Sequence, residues 1–358
     1  MRPGFFFCLI MGRRKENHVQ LGEIERVRLG EFPTPLQELI NLREALGGPR
    51  IFIKRDDMTG FGTGGNKLRK LEYALAEALR EGATSIITSG AIQSNHAQLT
   101  TAAANRMGLK TYLILKGEEP EIPTGNLFLD KLLGAEEIRY VQVPSQSGKE
   151  EFEMLLQQKV EILKDELKAR GEVPFYIPNG CRALHGALGY AGCVLEIVSQ
   201  LREHNLAPDY IITACGTGGT QTGLILGSYL YTNGEAKVIG ISVSEEKGKL
   251  VGRISGNLEE ALKFLRLDLE IPSGAVRVYD DYIGEAYGVP TSEMREAVRL
   301  MAGSEGIILD PVYTGKAMSG LIDLVRNGFF SQDDVIVFIH TGGIGGLFAA
   351  EQIASLHN

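Results

Sequence analysis

The sequence predicts an α/β protein with a mostly parallel sheet whose strands are joined by helices. Two observations support this: short apolar runs alternate with longer helical patterns, and the runs lack the apolar/polar alternation of half-exposed strands. Strands buried on both faces of a parallel sheet have this continuous apolar character. Glycine-rich stretches follow four of the runs, after Ile53, Thr88, Thr213 and Ile339. Because open α/β sheets bind ligands at the carboxyl ends of their strands, we expect the functional site there.

The predicted strands are short and rich in aliphatic residues. They cover residues 51–53, 84–88, 111–115, 138–141, 175–177, 210–213, 238–243, 276–279 and 335–339. Apolar residues at helical spacing predict helices over residues 68–80 and 224–230. Residues 150–170 form a charged amphipathic pattern, which predicts a helix with a solvated face.

Composition limits the classes of function. A chain of 358 residues with 44% hydrophobic content is long enough for two domains and a large core. The net charge of −8 argues against a nucleic-acid-binding surface. The four cysteines lack Cys-x-x-Cys spacing, which favours a reduced cytoplasm over a disulfide framework. The six histidines lack metal-ligand spacing, so we expect no metal.

Residues 1–20 are expected to form a loosely ordered extension. Their apolar run, residues 5–11, is too short to span a bilayer, so we expect no membrane partner. The basic cluster follows the run instead of preceding it, which differs from a signal peptide. We expect that the extension comes from an upstream choice of start codon, with Met11 or a nearby residue as the natural start.

Lys67 is a charged residue at a position where a buried one is expected. It follows the glycine-rich turn 62–65 and shares its helix face with Leu71 and Ala74, while Arg69 lies on the other side. Desolvation and a helix N-terminus both lower the pKa of an amine, which suits a lysine that must lose its proton. The alternative is a lysine whose stem packs on the helix while its head reaches water.

A second glycine-rich segment, residues 215–223, follows a predicted strand and opens a helix. Unpaired backbone N–H groups in such a turn bind phosphate. The segment is not a Walker loop, and the spacing of a dinucleotide fingerprint fails at Gln221. Alone it would be an ordinary tight turn. Together with a buried amine, it predicts a cofactor that carries both an aldehyde and a phosphate.

Seven ordered motifs carry a family resemblance. They are Lys-Arg-Asp-Asp-Met (54–58), Gly-Gly-Asn-Lys-Leu-Arg-Lys-Leu-Glu (64–72), Ser-Gly-Ala-Ile-Gln-Ser-Asn-His (89–96), Gly-Thr-Gly-Gly-Thr (216–220), Tyr-Gly-Val-Pro (287–290), Glu-Gly-Ile-Ile-Leu-Asp-Pro-Val-Tyr-Thr-Gly-Lys-Ala (305–317) and His-Thr-Gly-Gly (340–343). In this order they resemble the D-cysteine desulfhydrase and 1-aminocyclopropane-1-carboxylate (ACC) deaminase family, whose members use pyridoxal 5'-phosphate.

The resemblance implies a fold of the tryptophan-synthase-β type, known as fold type II. This fold has two open, twisted, mostly parallel sheets with helices on both faces. A smaller α/β domain, residues 71–180, would be inserted into a larger cofactor-binding domain formed by residues 21–70 and 181–358, with the cofactor between them. We also expect a homodimer in the cytoplasm that acts on a small amino acid.

The resemblance further implies a role for each matching residue. Lys67 would form the Schiff base with the cofactor aldehyde and act as the base, and Asn95 would bind the ring hydroxyl. The other residues that contact the cofactor would be Asn66, Gly216, Thr217, Gly218, Gly219, Thr220, Thr314 and Thr341. The residues that contact the substrate would be Ser94, Asn95, His96, Gln98 and Tyr287. The catalytic residues would be Lys67, Ser94, Tyr287 and Tyr313. First-turn N–H groups and hydroxyls are natural donors to a carboxylate. Without the resemblance, Ser94 would be read as a plain helix cap and the tyrosines as core aromatics.

Two positions favour one reaction within the family. ACC deaminases carry a glutamate at the position of Thr314 and an apolar residue at that of Thr341. Neutral hydroxyl partners keep the pyridine nitrogen unprotonated, and this weaker electron sink suits a good leaving group such as thiolate. We therefore expect a β-eliminating lyase that converts D-cysteine, or a close β-substituted alanine, to pyruvate, ammonia and sulfide.

Other functions remain open. One is ACC deaminase, and another is L-cysteate sulfo-lyase, because Arg182 could contact a second anion. An exposed arginine at a domain junction is an equally good reading of Arg182. A non-catalytic carrier of the cofactor is disfavoured by Ser94, Tyr287 and Tyr313, and a nicotinamide-dependent dehydrogenase by the failed fingerprint.

Overall fold

The computed structural model describes residues 19–142 and 149–357. Its strands are β1 (Leu36–Glu38), β2 (Arg50–Lys54), β3 (Ser85–Ala91), β4 (Lys110–Lys116), β5 (Glu137–Val141), β6 (Pro174–Ile177), β7 (Tyr210–Cys215), β8 (Lys237–Ser242), β9 (Arg277–Tyr279) and β10 (Val335–Ile339). Its helices are α1 (Ile40–Leu46), α2 (Lys67–Arg80), α3 (Asn95–Arg106), α4 (Gly125–Leu132), α5 (Lys149–Ala169), α6 (Ala183–Arg202), α7 (Gly219–Thr232), α8 (Lys247–Leu265), α9 (Ser292–Glu305), α10 (Thr314–Arg326), α11 (Ile344–Leu347) and α12 (Ala350–His357). Residues 1–18 of the expected N-terminal extension lie outside the described residues.

The larger sheet contains six strands in the order β1-β2-β10-β7-β8-β9. All neighbours are parallel except β1, which runs antiparallel to β2. The last strand, β10, lies between β2 and β7, so that Phe338 pairs with Ile53 on one side and Ile212 on the other. The carboxyl ends of β2, β10 and β7 therefore meet at one edge, and a glycine-containing turn follows each of them.

The smaller sheet contains four parallel strands in the order β5-β4-β3-β6. The predicted fold class, two open and mostly parallel sheets with helices, is thus confirmed. Each predicted strand overlaps an observed one, whereas β1 was not predicted. It has only three residues and follows Pro33 and Pro35, which make the segment look like a loop.

Helices cover both faces of the larger sheet. Side chains of α6, α7 and α8 pack on one face, and those of α1, α9 and α10 pack on the other. Two glycines bring α6 and α7 close together: a Cβ at Gly223 would lie 2.5 Å from Gly186 O, and one at Gly227 would lie 2.8 Å from Val194 Cβ. This close packing fixes the position of the α7 N-terminus, where the second glycine-rich segment lies.

The predicted helices are present with different ends. Helix α7 begins at Gly219, five residues before the predicted start at residue 224, because Gly218 adopts a left-handed conformation that ends the turn. Helix α5 buries Val160, Leu163 and Leu167 and exposes most of its charged residues, as predicted. No helix in the described part of the chain has both the length and the apolar character needed to cross a bilayer.

Candidate active site

The predicted residues in the turns before α2, after β7 and after β10 lie at the edge where β2, β7 and β10 end, whereas residues 94–98 follow β3 of the smaller sheet. The turn before α2 contacts the turn after β10: Asn66 N donates to Thr341 O at 3.0 Å. A Cβ at Gly342 would lie 2.6 Å from Gly65 Cα, so these two turns touch through their backbones. This close approach explains why both turns contain glycine.

Lys67 is the first residue of α2 and is connected to the loop after β7. Its Nζ donates to Asn66 Oδ1 at 3.0 Å. In turn, Asn66 Nδ2 donates to Thr220 Oγ1 at 3.0 Å, in the first turn of α7. The side chain of Asn66 therefore links the candidate amine to the candidate phosphate loop.

The surroundings of Lys67 favour its uncharged form. Burial lowers the pKa of Lys67, while Cys181 and Asp310 act more weakly in the opposite direction. The amine lies 5.9 Å from the centre of the Tyr313 ring. A lysine of lowered pKa can act as a nucleophile or as a general base.

The loop of residues 216–220 has the backbone geometry of an anion site. Gly218 caps α7 with φ +87°, and a Cβ there would lie 2.9 Å from Ile254 Cγ1. Only glycine fits this position without strain. The first N–H groups of α7 have no partner within the helix and so are free to bind an anion. Thr217 is exposed, whereas Gly219 and Thr220 are buried.

Lys70 is a buried residue that the sequence analysis did not single out. It is 1% exposed, and its Nζ would lie 3.6 Å from a Cβ at Gly219, the first residue of α7. Burial, and next the neighbouring charge of Lys67, lowers its pKa to about 7. A spacing of three residues puts Lys67 and Lys70 on the same side of α2, and this spacing was the available signal.

A buried ionic cluster holds α2 against the end of β2. Arg69, which the periodicity placed opposite Lys67, is not solvated there: its Nε lies 2.8 Å from Asp56 Oδ2 and its Nη1 lies 2.7 Å from Glu196 Oε1. Tyr190 donates to Asp56 Oδ2 at 2.6 Å. The backbone oxygen of Asp56 accepts from Gly65 N at 2.7 Å, so the cluster also positions the turn before Lys67.

The first turn of α3 contains the predicted substrate residues. Ser94 Oγ accepts from Ala97 N at 3.2 Å, so this hydroxyl caps the helix, and its own hydrogen remains available to a ligand. Gln98 is 2% exposed, and its Oε1 accepts from Thr63 Oγ1 at 2.8 Å. That bond fastens α3 to the glycine-rich turn before Lys67.

His96 is 1% exposed, and its ring nitrogens form no hydrogen bond of good geometry with the described residues, although the backbone of Ile177 and Pro178 lies near enough to raise its pKa slightly. Burial, and then the charges of Lys67 and Lys70, lowers its pKa to about 3. The imidazole is therefore neutral at physiological pH. It can contact a substrate as a hydrogen-bonding group but offers no positive charge to a carboxylate.

The two predicted tyrosines form a pair beside Lys67. The hydroxyls of Tyr287 and Tyr313 are 2.7 Å apart, and their rings meet edge to face with centroids separated by 5.9 Å. Burial raises the pKa of both phenols, and either hydroxyl can donate the hydrogen bond between them. Tyr287 is 44% exposed. The pair thus connects the buried amine to the solvent side of the site.

Thr314 is bound to Asp310. The Thr314 hydroxyl donates to Asp310 Oδ1 at 2.7 Å and accepts from Asp310 N at 2.8 Å. The same carboxylate accepts from the backbone N–H groups of Val312, Tyr313 and Thr314, each within 2.9 Å. The hydroxyl hydrogen of Thr314 is therefore already used inside the protein, whereas Thr341 Oγ1 forms no hydrogen bond with the described residues.

Arg182, the residue before α6, pairs with a carboxylate on α2. Its side chain is 51% exposed, and its Nη1 lies 2.8 Å from Glu77 Oε1. His185 Nε2 lies 2.9 Å from the other oxygen of that carboxylate. The adjacent Cys181 is buried with φ +66°, and burial raises the pKa of its thiol to about 12. The structure thus gives Arg182 an anionic partner from within the chain.

The residues present fit pyridoxal phosphate. Lys67 offers an amine of lowered pKa, and a buried glycine-lined helix N-terminus lies beside Lys70, whose ammonium has no ion-pair partner among the described residues. A phosphate dianion would supply the missing counter-charge. In the same part of the chain, no group of three or more His, Cys, Asp and Glu side chains is arranged to hold a metal ion.

Comparisons with known proteins agree with this geometry. Residues 27–342 match the family described as "Pyridoxal-phosphate dependent enzyme". A D-cysteine desulfhydrase of Serratia proteamaculans is 39% identical over 338 residues, which cover 92% of this chain and 97% of the relative. A Pyrococcus horikoshii protein, named provisionally as an ACC deaminase, is 41% identical over 328 residues, which cover 92% of this chain and 94% of the relative.

A solved structure supports the same relationship. The crystal structure of an "ACC deaminase homologue" superimposes with a TM-score of 0.82 at 39% sequence identity, covering 94% of this chain and 97% of that one. The matched family segment contains Lys67, the loop 216–220 and the turn after β10, which are the elements that converge at the sheet edge. This chain belongs to the family of pyridoxal-phosphate-dependent enzymes.

Proposed function

We propose that the protein is a β-eliminating lyase that converts D-cysteine, or a close β-substituted alanine, to pyruvate, ammonia and sulfide. The overall reaction consumes one water: the Cβ–S bond and the Cα–N bond break, and a ketone forms at Cα. When bound, pyridoxal phosphate supplies the aldehyde that condenses with the substrate amine and a conjugated ring that withdraws electrons from Cα.

One observation carries the choice of reaction: among the residues that the structure describes, no free carboxylate lies beside Thr314. The nearest acid, Asp310, is buried, and its two oxygens accept four hydrogen bonds from the chain itself. Thr341 Oγ1 is neutral. Such surroundings offer a protonated pyridine nitrogen no free carboxylate as a direct acceptor, and the weaker electron sink favours loss of thiolate over opening of a cyclopropane.

The chain's own residues divide the remaining work. Lys67, with its lowered pKa, would take the α-proton once the substrate amine has displaced it. The Tyr287–Tyr313 pair holds phenolic protons close to the amine and can supply one to the departing sulfur. Ser94 and the neutral His96 would receive the substrate carboxylate together with N–H groups at the start of α3.

The test is a comparison of D-cysteine, L-cysteine, L-cysteate and ACC with one purified enzyme. Pyruvate, 2-oxobutanoate, sulfide and sulfite are each measured, and the Lys67→Ala variant gives the background. We expect D-cysteine, or β-chloro-D-alanine, to yield pyruvate with kcat/KM at least about a hundredfold above that for ACC. Conversion of ACC to 2-oxobutanoate with equal efficiency would reject the proposal in favour of ACC deaminase.

We further propose the domain division implied by the resemblance: residues 71–180 as an inserted smaller domain, and 21–70 with 181–358 as the larger one. All four strands of the smaller sheet come from residues 85–177, which supports this division. Its first boundary would cross α2, whose side chains pack with both α3 and α6. Limited proteolysis with mass spectrometry would locate the domain junctions.

A homodimer in the cytoplasm is the proposed state of the protein. The three described cysteines, Cys181, Cys193 and Cys215, are free, which agrees with a reducing compartment. Light scattering coupled to size-exclusion chromatography would give the mass of the assembly. Cell fractionation with a tagged chain would give its location.

A further inference from the structure

We propose that Asn126 is a positioning residue that fixes the orientation of the Asn95 side-chain amide toward the cofactor. Asn126 lies on α4 and is fully buried, and its Nδ2 donates to Asn95 Oδ1 at 2.6 Å. The inference rests on the proposed contact of Asn95 with the cofactor's ring hydroxyl. Asn126 itself touches neither cofactor nor substrate in this proposal.

Hydrogen bonds to backbone groups fix the orientation of the side-chain amides of Gln93 and Asn126. Gln93 Nε2 donates to Thr124 O at 3.1 Å, and Gln93 Oε1 accepts from Asn126 N at 2.8 Å. Asn126 Nδ2 donates to Gln93 O at 3.0 Å. Because a carbonyl oxygen only accepts and an N–H only donates, Gln93 and Asn126 have one orientation each.

This constraint passes to Asn95. The second hydrogen of Asn126 Nδ2 requires an acceptor, so the Asn95 atom that faces it must be Oδ1. The Asn95 Nδ2 is therefore turned away from Asn126 and remains available as a donor. An oxygen in its place would repel the ionised ring hydroxyl, whereas the N–H group stabilises that anion.

A glycine on the far side of Asn126 completes the arrangement. A Cβ at Gly345, on α11, would collide with Asn126 Oδ1. A Cβ at the next residue, Gly346, would lie 3.7 Å from Asn126 Nδ2 and 3.8 Å from Asn95 Oδ1, which are ordinary contacts. The two neighbouring glycines thus offer a matched pair of substitutions, one that displaces Asn126 and one that does not.

The first experiment uses Asn126→Leu, which keeps the approximate shape and removes the donor. We measure the pH midpoint of the visible absorbance of the bound cofactor and the affinity of the apoprotein for pyridoxal phosphate. Loss of a correctly oriented donor should raise the midpoint, because the ring hydroxyl anion loses its stabilising partner. It should also weaken cofactor affinity by about tenfold.

A double-mutant cycle separates positioning from packing. Asn95→Ala should give the same upward shift, and the double variant Asn95→Ala/Asn126→Leu should shift the midpoint no further than Asn95→Ala alone. Gly345→Ala should reproduce the Asn126→Leu spectrum, while Gly346→Ala should leave it unchanged. If Asn126→Leu does not fold, the midpoint and the cofactor affinity are measured on Gly345→Ala and Gln93→Leu instead.

An unchanged midpoint and affinity in folded Asn126→Leu and Gly345→Ala would overturn the inference, as would additive shifts in the cycle. These readouts do not depend on substrate. If D-cysteine is not converted but the midpoints shift as expected, the proposed reaction fails while the role of Asn126 stands.

Discussion

The two sides of the candidate site are built in different ways. The side formed by the ends of β2, β7 and β10 consists of glycine turns whose backbones touch. A Cβ added at Gly65, for example, would lie 2.9 Å from Thr341 O. The side formed by the start of α3 consists of side chains that are bound to other side chains. Gln98 is held by Thr63, and Asn95 by Asn126.

This difference predicts how substitutions on each side of the site affect the protein. Backbone contacts and helix N-termini form an anion site whatever the neighbouring side chains are, provided that the glycines remain. A side-chain relay depends on each member and on its orientation. We therefore expect substitutions in the glycine turns to act through cofactor binding, and those on the α3 side to act through the orientation of side chains toward the cofactor and the substrate.

The largest expected effect on the cofactor side is that of Lys67→Ala. Removing the amine should abolish the protein-linked yellow chromophore and lower turnover by about a thousandfold or more. Borohydride reduction and peptide mapping should place the pyridoxyl group on Lys67 in the native enzyme. Lys316→Met is the matched control: this buried lysine donates to Ile283 O at 2.6 Å, so its loss should cost stability but keep the chromophore. A pyridoxyl group on another lysine would falsify the assignment.

Gly218→Asp should have the next largest effect. It places a carboxylate against the phosphate at φ +87°, where even a Cβ would press on Ile254. Repulsion and strain together should weaken cofactor affinity by about a hundredfold or more, measured by titration of the apoprotein. Gly256→Asp, on α8 with no atom within 4 Å of the added Cβ, is the control and should bind the cofactor normally. Equal affinity in both variants would exclude the loop.

Lys70→Met tests the unexpected member of the cofactor side. If Lys70 meets the phosphate, affinity for pyridoxal phosphate should fall by about tenfold, while affinity for pyridoxal, which lacks the phosphate, should not change. Equal losses for both ligands would instead indicate a packing defect at α2.

The pH dependence of the apoprotein gives a second test of Lys70. Its pKa of about 7 in the fold lies below that of the unfolded chain, near 10.5, so the unfolded state binds more protons between these values. The free energy of unfolding of the native apoprotein should therefore rise from pH 7 to about 10, relative to Lys70→Met, by up to about 1.4 kcal/mol per pH unit. Parallel curves from chemical denaturation would contradict the lowered pKa.

The smallest effect should come from Arg182→Ala. The arginine is half exposed and paired with Glu77, and such pairs contribute about 0.2–1 kcal/mol. Turnover of D-cysteine should stay within about twofold, and L-cysteate should remain a poor substrate for both proteins. A selective loss of cysteate conversion in the variant would show that Arg182 binds a second anion after all.

Much of the fold could be predicted because its signal is local. Every predicted strand overlaps an observed one, since continuous aliphatic runs identify buried parallel strands without knowledge of their partners. The start of α7 and the existence of β1 were not predicted. The start of α7 depends on the left-handed conformation of Gly218 and on the packing of Gly219 against Gly186, and β1 exists only because β2 pairs with it.

The same limit applies to the site. Lys67 and the loop 216–220 were found because a lysine on an apolar stripe and a strand–glycine–helix sequence are visible in a window of ten residues. Lys70 was missed because lysine is usually a surface residue, and its spacing of three residues from Lys67 was the only local sign that it shares the buried side of α2. The bond of the Thr314 hydroxyl to Asp310 was not predicted, because no local pattern shows which acceptor a hydroxyl will choose.

The sequence by itself indicated the α/β architecture, a buried amine at Lys67 and a glycine-rich loop at a helix start, because each shows in periodicity or glycine spacing over neighbouring residues, and the seven ordered motifs implied the cofactor. Only the tertiary structure decided which polar groups are already hydrogen-bonded within the protein. The insertion of β10 between β2 and β7 brings the turns together, and the packing of α4 against α3 sets Asn126 on Asn95. Packing determines which residues far apart in the chain become hydrogen-bond partners, and a local sequence pattern does not indicate them.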